Sequence, residues 1–386
     1  MQTQNTNMGK KPKILFISHS VGGVDVWLRL VLANLNPNLF DIVIIHGFTD
    51  TNKVFLNKEN KPLKEYKIAI DRNLHPWKDT KAIFQTISIV KNEKPDLIHA
   101  HSAKAGIIGR LVGVATNTSV FYTPHAFSYL STSNKIKRSF FLSIERLFSK
   151  FNNKILATSE SEKNRAIVDV HYSPKKVIVF NNCINEISDI KELSIPQTWP
   201  DEYICSVGRP SYQKNIEFMV EVIKRVTLEK PNVHLVLMGV GFHSPNLESV
   251  KAKISAYNLE KNITLLEWTE RKDVFHIILK SRLYISSARY EGLPYSVIEA
   301  MALRKACIVT DVDGNRDLIV NNQNGLIIKE DNTNEFSNAI LELLEDENRR
   351  QQFEANSLKL FNEHFNIENT IHNLESIYKT EAEKKS

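Results

Sequence analysis

At 386 residues the chain is too long for one ordinary hydrophobic core, and two domains of roughly 100–200 residues are expected. Hydrophobic residues make up 42% and charged residues 24%, which excludes a disordered or fibrous chain. The 50 basic and 44 acidic side chains leave a net charge of +6, a modest surplus that suits contact with phosphates or an anionic membrane surface but is also common among enzymes.

Met1 to Lys13 is polar and basic without an apolar centre, so no secretory signal is expected there. No stretch reaches the roughly 18 apolar residues of a membrane-spanning helix. The expected location is cytoplasmic, free or peripheral on the inner face of the cell membrane. Cys183, Cys205 and Cys307 are odd in number and show no zinc spacing, which points to reduced, buried thiols.

Lys13 to Ser18 reads as a buried strand, followed by a Gly22-Gly23 turn and an amphipathic helix from about Val24 to Leu35. Asp41 to Gly47 is a second strand, Thr80 to Lys91 a helix, and Pro95 to His101 a strand with a polar end. Val120 to Thr123, Lys154 to Thr158 and Val177 to Phe180 continue the series. Periodicity fails between Cys183 and Asp201, where Pro196 and Pro200 mark a linker. A second series follows, with strands at Tyr203–Gly208, Val233–Gly239, Ile263–Leu266, Leu283–Ser286, Ala306–Thr310 and Gly325–Ile328. Helices are expected at Asn215–Glu229 and Ser296–Leu303, and Phe365 to Lys385 is a final helical tail. Alternating strands and helices imply an α/β chain of two doubly wound Rossmann-like domains. Their ligands belong at the carboxyl ends of the strands. That rule collects Gly22, Gly23, His101, His125, Gly208, Arg209, Gly239 and the Glu291 loop around one opening.

The most informative segment is Tyr290-Glu291-Gly292-Leu293-Pro294-Tyr295-Ser296-Val297-Ile298-Glu299-Ala300-Met301-Ala302. Pro294 can open a helix, where its missing N–H costs nothing. The amides of Leu293, Tyr295 and Ser296 would then meet a diphosphate. Glu299, one to two turns on, could accept bonds from ribose hydroxyls. In Val207-Gly208-Arg209-Pro210-Ser211-Tyr212-Gln213-Lys214-Asn215, Gly208 ends a strand and permits close backbone approach. Arg209 and Lys214 suit phosphate oxygens, or are a pair of solvated surface charges.

These two segments resemble the retaining GT-B glycosyltransferases of family 4, marked by a glutamate, seven residues and a second glutamate within an EGxP…EAMA phrase, and by a VGR…KN segment. The resemblance implies a GT-B fold of two Rossmann-like domains facing a cleft, with residues 1–187 binding the acceptor and 188–364 the nucleotide sugar. Residues 365–386 would return as a helix to the first domain. It implies that Glu291 contacts the donor sugar, Glu299 the ribose, and Arg209 and Lys214 the diphosphate. Leu293, Pro294 and Tyr295 join the donor contacts, as do Gly22 and Gly23, whose place after the first strand matches the family's two-glycine loop. His125, in Thr123-Pro124-His125-Ala126, matches a histidine near the reacting sugar, so His125 and Glu291 are the catalytic candidates. A hexose or N-acetylhexosamine donor of the UDP series is implied, with no cofactor, no metal and no nucleic-acid partner.

Ile98-His99-Ala100-His101-Ser102-Ala103-Lys104 through Arg110 resembles a subgroup that builds surface glycans, such as capsule and O-antigen, on a polyprenyl-pyrophosphate carrier. His101 and Lys104 are accordingly the acceptor-binding candidates. Ser102 could cap a helix whose first turn holds Lys104, and a cation set against the dipole suggests an anion partner. Residues 133–154 interleave Lys135, Lys137, Arg138, Arg146, Lys150 and Lys154 with aromatic and aliphatic residues. That pattern fits either a membrane-surface helix or a buried helix with a charged outer face. Met8-Gly9-Lys10 lacks a phosphate-loop frame, Gly239-Val240-Gly241 lacks a third glycine, and Asp311-Val312-Asp313 reads as a structural turn. Glu267-Trp268 replaces a small residue near the base in relatives, which leaves base preference open. The alternatives are a GT-B-like sugar-nucleotide epimerase or hydrolase, or a non-catalytic GT-B scaffold.

Overall fold

The computed structural model describes residues 11–70, 75–132, 134–241 and 244–384; the expectations for Met1–Lys10, the Met8-Gly9-Lys10 motif, Ser133 and Lys385 lie outside them. The chain divides into two compact units, Met1–Phe180 with Thr370–Ser386, and Asn181–Asn369. The first boundary therefore falls at residue 180 rather than 187, and the final helix changes unit at Thr370 rather than at residue 365. The expected linker is not free chain. Trp199 is buried, Ile187, Ile190, Leu193 and Ile195 pack on the second unit's core, and Ser194 bonds Asp273 through its amide at 2.8 Å and its hydroxyl at 2.6 Å.

In the first unit the order is β1 (Lys13–Ser18), α1 (Gly23–Asn34), β2 (Asp41–Gly47), β3 (Lys64–Ile68), α2 (Pro76–Glu93), β4 (Leu97–His101), α3 (Ala103–Thr116) and β5 (Ser119–Thr123). Then come α4 (Lys135–Ser149), β6 (Lys154–Ala157), α5 (Glu160–Val168) and β7 (Val177–Val179). All seven strands are parallel, in the order β3-β2-β1-β4-β5-β6-β7. The central strands are continuous apolar runs because both faces are covered by helices. The edge strand β3 escaped the sequence reading. Its residues, Lys64-Glu65-Tyr66-Lys67-Ile68, are mostly polar and only Ile68 is buried, as suits an exposed edge.

The second unit repeats the plan. It runs β8 (Ile204–Val207), α6 (Ile216–Val226), β9 (Leu235–Met238), α7 (Leu247–Ala256), β10 (Ile263–Leu266), α8 (Arg271–Lys280) and β11 (Tyr284–Ser286). There follow α9 (Tyr295–Ala302), β12 (Cys307–Thr310), α10 (Asp313–Leu318), β13 (Gly325–Ile328), α11 (Thr333–Glu345) and α12 (Glu347–His364); α13 (Ile367–Glu383) begins in this unit and belongs to the first from Thr370 on. Its six parallel strands lie in the order β10-β9-β8-β11-β12-β13. The three cysteines are free and buried, and burial pushes the Cys205 thiol up to about 12. Among the described residues, no helix is long and apolar enough to cross a membrane.

Helix α3 lies in direct contact with the first sheet. A Cβ at Gly106 would come 2.3 Å from the Tyr122 ring, and one at Gly113 2.2 Å from Val120. Arg110 of α3 is buried between Tyr122 and Phe148, 4.1 and 4.3 Å from their rings, and pairs with buried Glu145 of α4 at 2.8 Å. Removing one partner of such a pair strands a buried charge. Glu145→Ala is expected to destabilise the protein by about 3–5 kcal/mol in urea denaturation, whereas Arg110→Met with Glu145→Leu should cost far less.

Candidate functional site

Doubly wound sheets take ligands at the carboxyl ends of strands, where the strand order reverses. In the second unit that point lies between β8 and β11, and the loops after these strands are bonded together. Ser287 donates its hydroxyl to the carbonyls of Lys214 and Asn215 at 2.9 and 3.1 Å. The Arg289 amide donates to Gln213 O at 2.8 Å, and its guanidinium donates to Tyr212 O at 2.9 Å. Lys214 Nζ meets Glu291 Oε1 at 2.6 Å, and Gln213 donates to Glu291 Oε2 at 3.3 Å. The loop after β12 closes a third side: Gly314 N donates to Glu291 O at 3.3 Å, and a Cβ on Gly314 would lie 2.3 Å from Gly292 O.

Pro294 sits one residue before α9, as its cap, rather than at the first helical position. The amides of Tyr295 and Ser296 are the first two of the helix and have no acceptor within it. The Leu293 and Tyr295 side chains pack on the core, so what these residues can offer a ligand is backbone. Glu299 is buried on the second turn and accepts from Arg271 Nη2 at 2.6 Å. Burial raises its carboxyl above the ordinary value against the pull of Arg271. Arg209 is exposed, with no hydrogen bond or ion pair among the described residues. The carboxylates of Asp311 and Asp313 both pair with Arg316, so this segment is a turn held by one guanidinium.

In the first unit the reversal lies between β1 and β4. Three loops at this end carry left-handed backbone: Gly22 (φ 62°) after β1, Ser102 (φ 72°) after β4, and His125 and Ala126 (φ 53° and 75°) after β5. Such conformations cost of order 1–3 kcal/mol for a residue with a Cβ, and collect at functional sites. Their supports are specific. Asp50, after β2, accepts from the amides of Ser20 and Gly47 at 2.6 and 2.9 Å and contacts His19 Nδ1 at 2.8 Å. Glu162 of α5 accepts from Ala126 N at 2.8 Å and Thr158 N at 2.7 Å.

Behind His125 stand two buried imidazoles on one face of β4, His99 and His101, packed on Trp27 and Phe16. Burial holds the His125 ring down to about 3 and the other two well below the ordinary histidine value, so all three are neutral at pH 7.

The structure brings Gly208, Arg209, Lys214, Glu291, Leu293, Pro294, Tyr295 and Glu299 to one loop cluster, and Gly22, Gly23, His101, Lys104 and His125 to another. Three expectations need correction. His101 is fully buried behind His125 and presents no surface to an acceptor. Lys104 already has an anion partner, Asp79 of α2, at 2.7 Å, which answers the argument from the helix dipole. Ser102 occupies the cap position of α3 with φ 72° and makes no side-chain capping bond, in place of the extended backbone from which a cap hydroxyl reaches the first helical amides. Sequence reading missed His19, Asp50, Glu162, Arg271 and Gly314. Each acts through a contact distant in sequence, which no local spacing announces.

Residues 189–360 match the model described as glycosyl transferases group 1, and residues 21–186 the one described as glycosyltransferase family 4. The chain is 27% identical over 311 residues to the UDP-Gal:alpha-D-GlcNAc-diphosphoundecaprenol alpha-1,3-galactosyltransferase of Escherichia coli, covering 75% of this chain and 79% of that one. It is 23% identical over 342 residues to the capsular polysaccharide biosynthesis glycosyltransferase CapM of Staphylococcus aureus, covering 84% and 89%. The solved structure of Anabaena HepE in complex with UDP and glucose matches with a TM-score of 0.79 at 16% identity, over 96% of this chain and 100% of that one, and shares the GT-B fold.

The Asp50 contacts generate a pH prediction. Burial alone would raise its carboxyl; the His19 bond and the two amides outweigh this and hold it below the ordinary 3.8. A folded value below the unfolded one means stabilisation that is full above pH 3.8 and lost as pH falls through the folded value. Asp50→Asn should therefore cost about 1–3 kcal/mol in urea titrations at pH 7. The gap from wild type should narrow below about pH 4.

Proposed function

The chain belongs to the family-4 glycosyltransferases, and we propose that it moves a hexose or N-acetylhexosamine from a UDP sugar to a lipid-linked or glycan acceptor, with retention at the anomeric carbon, in surface polysaccharide synthesis. The observation that carries this reading is the Lys214–Glu291 pair, set between exposed Arg209 and the open amides of α9. Donor diphosphate takes Arg209, Lys214 and the amides of Tyr295 and Ser296. Glu291, released from Lys214, holds the sugar hydroxyls. Glu299, kept in place by Arg271, takes the ribose. His125 orients the reacting sugar, and the first unit takes the acceptor.

In the proposed reaction the acceptor oxygen bonds to the anomeric carbon on the face that the diphosphate leaves. The carbon–phosphate oxygen bond breaks and the acceptor proton passes to a diphosphate oxygen. Charge growing on that group is met by two fixed cations, worth most where water is excluded. The reading assigns no metal and no cofactor. The relatives named above support the acceptor class, since one acts on a diphosphoundecaprenol-linked sugar and another in capsule synthesis.

A peripheral membrane position on the cytoplasmic face belongs to the same reading. On α4, Ile136 (82% exposed), Phe140 (55%) and Leu147 (55%) fall within about 40° of one helical face, and Phe151 (38%) follows in the turn after it. Lys135, Lys137 and Lys150 lie beside them, the arrangement of a helix resting in an anionic lipid surface. The exposure of these apolar side chains on the outer face of α4, opposite buried Glu145 and Phe148, supports the membrane alternative over a helix whose outer face is only charged.

Calorimetric titration with UDP and UDP sugars tests the donor site. Arg209→Ala and Lys214→Ala should each weaken binding by about ten- to hundredfold, the loss of one charge-assisted contact. Glu291→Ala should abolish transfer; full transfer by that variant contradicts the assignment. For the membrane, Ile136→Asp with Phe140→Asp should weaken sedimentation with anionic vesicles by at least about tenfold. Activity on a soluble acceptor analogue should be unchanged, and equal sedimentation of both proteins would remove the membrane from the account.

A further inference from the structure

The protons on the buried histidines can be placed from their partners. Thr123 spends its hydroxyl proton on the Leu156 carbonyl at 2.7 Å, so its oxygen accepts from His99 Nε2–H at 2.9 Å. His99 Nδ1 is then the acceptor for the Tyr378 hydroxyl at 2.7 Å. His101 is different. Its ring lies 4.0 Å from that of His99, 4.6 Å from that of Trp27 and 5.3 Å from that of His125. It has one hydrogen bond, Nδ1 to His125 Nε2 at 3.0 Å, and its buried Nε2 has no partner among the described residues.

With both rings neutral, the His101–His125 bond has two possible directions. If His125 donated, His101 would carry its own proton on Nε2, leaving a buried N–H with no acceptor. If His101 donates, Nε2 keeps only an unused lone pair. Orphaned buried N–H groups are rarer and costlier than unused acceptors. The Trp27 indole N–H, also unpaired, brings a donor to this stack and no competing acceptor. His101 therefore donates, and the His125 proton must sit on Nδ1, which has no partner among the described residues.

We propose that His101 is a positioning residue: by donating Nδ1–H to His125 Nε2 it fixes His125 as the Nδ1–H tautomer and aims its one N–H at a hydroxyl oxygen of the reacting sugar. The left-handed backbone at His125 and the Glu162 bond to Ala126 N hold the ring's own segment in register with this contact. The proposal rests on the reading of His125 as a sugar contact.

The test uses the full chain labelled with ¹⁵N-histidine, the His125 signals being assigned by their loss in His125→Phe. Long-range ¹H–¹⁵N spectra should show protonated Nδ1 and bare Nε2 at His125. His101→Phe keeps an aromatic ring but no donor. It should shift His125 toward the Nε2–H form and lower kcat by at least about tenfold, the equivalent of one lost hydrogen bond. His101→Asn, whose amide N–H falls near the Nδ1 position, should recover both tautomer and rate. Unchanged His99 signals in each variant show that the stack is intact. An Nε2–H tautomer at His125 in the wild type overturns the proposal. So does a His101→Phe variant whose His125 tautomer and kcat are those of the wild type. Wild-type turnover by His125→Phe would instead overturn the reading of His125 as a sugar contact, leaving the tautomer result to stand separately.

Discussion

The ion pair between Lys214 and Glu291 is the contact on which the rest of the second unit's candidate site depends. It joins the loop after β8 to the loop after β11, the two segments that leave the sheet on either side of its reversal. A partly buried pair of this kind gains little net stability, because desolvation offsets most of the attraction. Its value lies in position. Lys214 fixes Glu291, the Glu291 carbonyl receives Gly314 N, and Gly314 has no room for a side chain against Gly292. The entry to α9 follows from these contacts, and with it the direction of the open amides at Tyr295 and Ser296. In the proposed reading a diphosphate would offer Lys214 a more highly charged partner than a single carboxylate, so exchange at this pair would couple donor binding to the release of Glu291.

The first unit reaches a comparable result by other means. Its three strand-end loops adopt backbone that side chains avoid, and two of them are held by carboxylates from elsewhere in the chain. Asp50 secures the turn after β1, and Glu162 secures the turn at Ala126. The last helix contributes Tyr378, whose hydroxyl completes the hydrogen bonding of His99. Burial keeps the histidines neutral, so they act as fixed donors and acceptors rather than as charges. In the proposed reading, such neutral groups suit the orienting of sugar hydroxyls, and the cations assigned to phosphate belong to the other unit.

Much of this architecture was legible in the sequence. Central strands such as Lys13–Ser18 and Cys307–Thr310 are unbroken apolar runs because helices cover both faces, and such runs are visible without a structure. The Glu291 and Lys214 segments could be read because their chemistry is local: a strand end, a short loop and a helix start. What could not be read depends on distant partners. Lys104 looked like a cation awaiting an anion, but Asp79 lies on a helix whose packing no local pattern reveals. His101 looked like an acceptor contact from its place at a strand end and the resemblance of its segment; only the sheet shows that it is buried behind His125. Ser102 looked like a cap, and its left-handed backbone defeats that role. The edge strand β3 lacks the apolar run because solvent, not a neighbouring strand, lies beyond it.

The central claim is transfer from a nucleotide sugar on the face that the diphosphate leaves, with Glu291 and Lys214 on the donor. The most direct measurement is the anomeric configuration of the first product, read from the coupling of the anomeric proton in ¹H NMR during turnover of an α-linked UDP sugar. The account predicts an α-linked product from the wild type and none from Glu291→Ala. A β-linked product would contradict it, since inversion requires attack from the opposite face and a protein base that this reading does not assign.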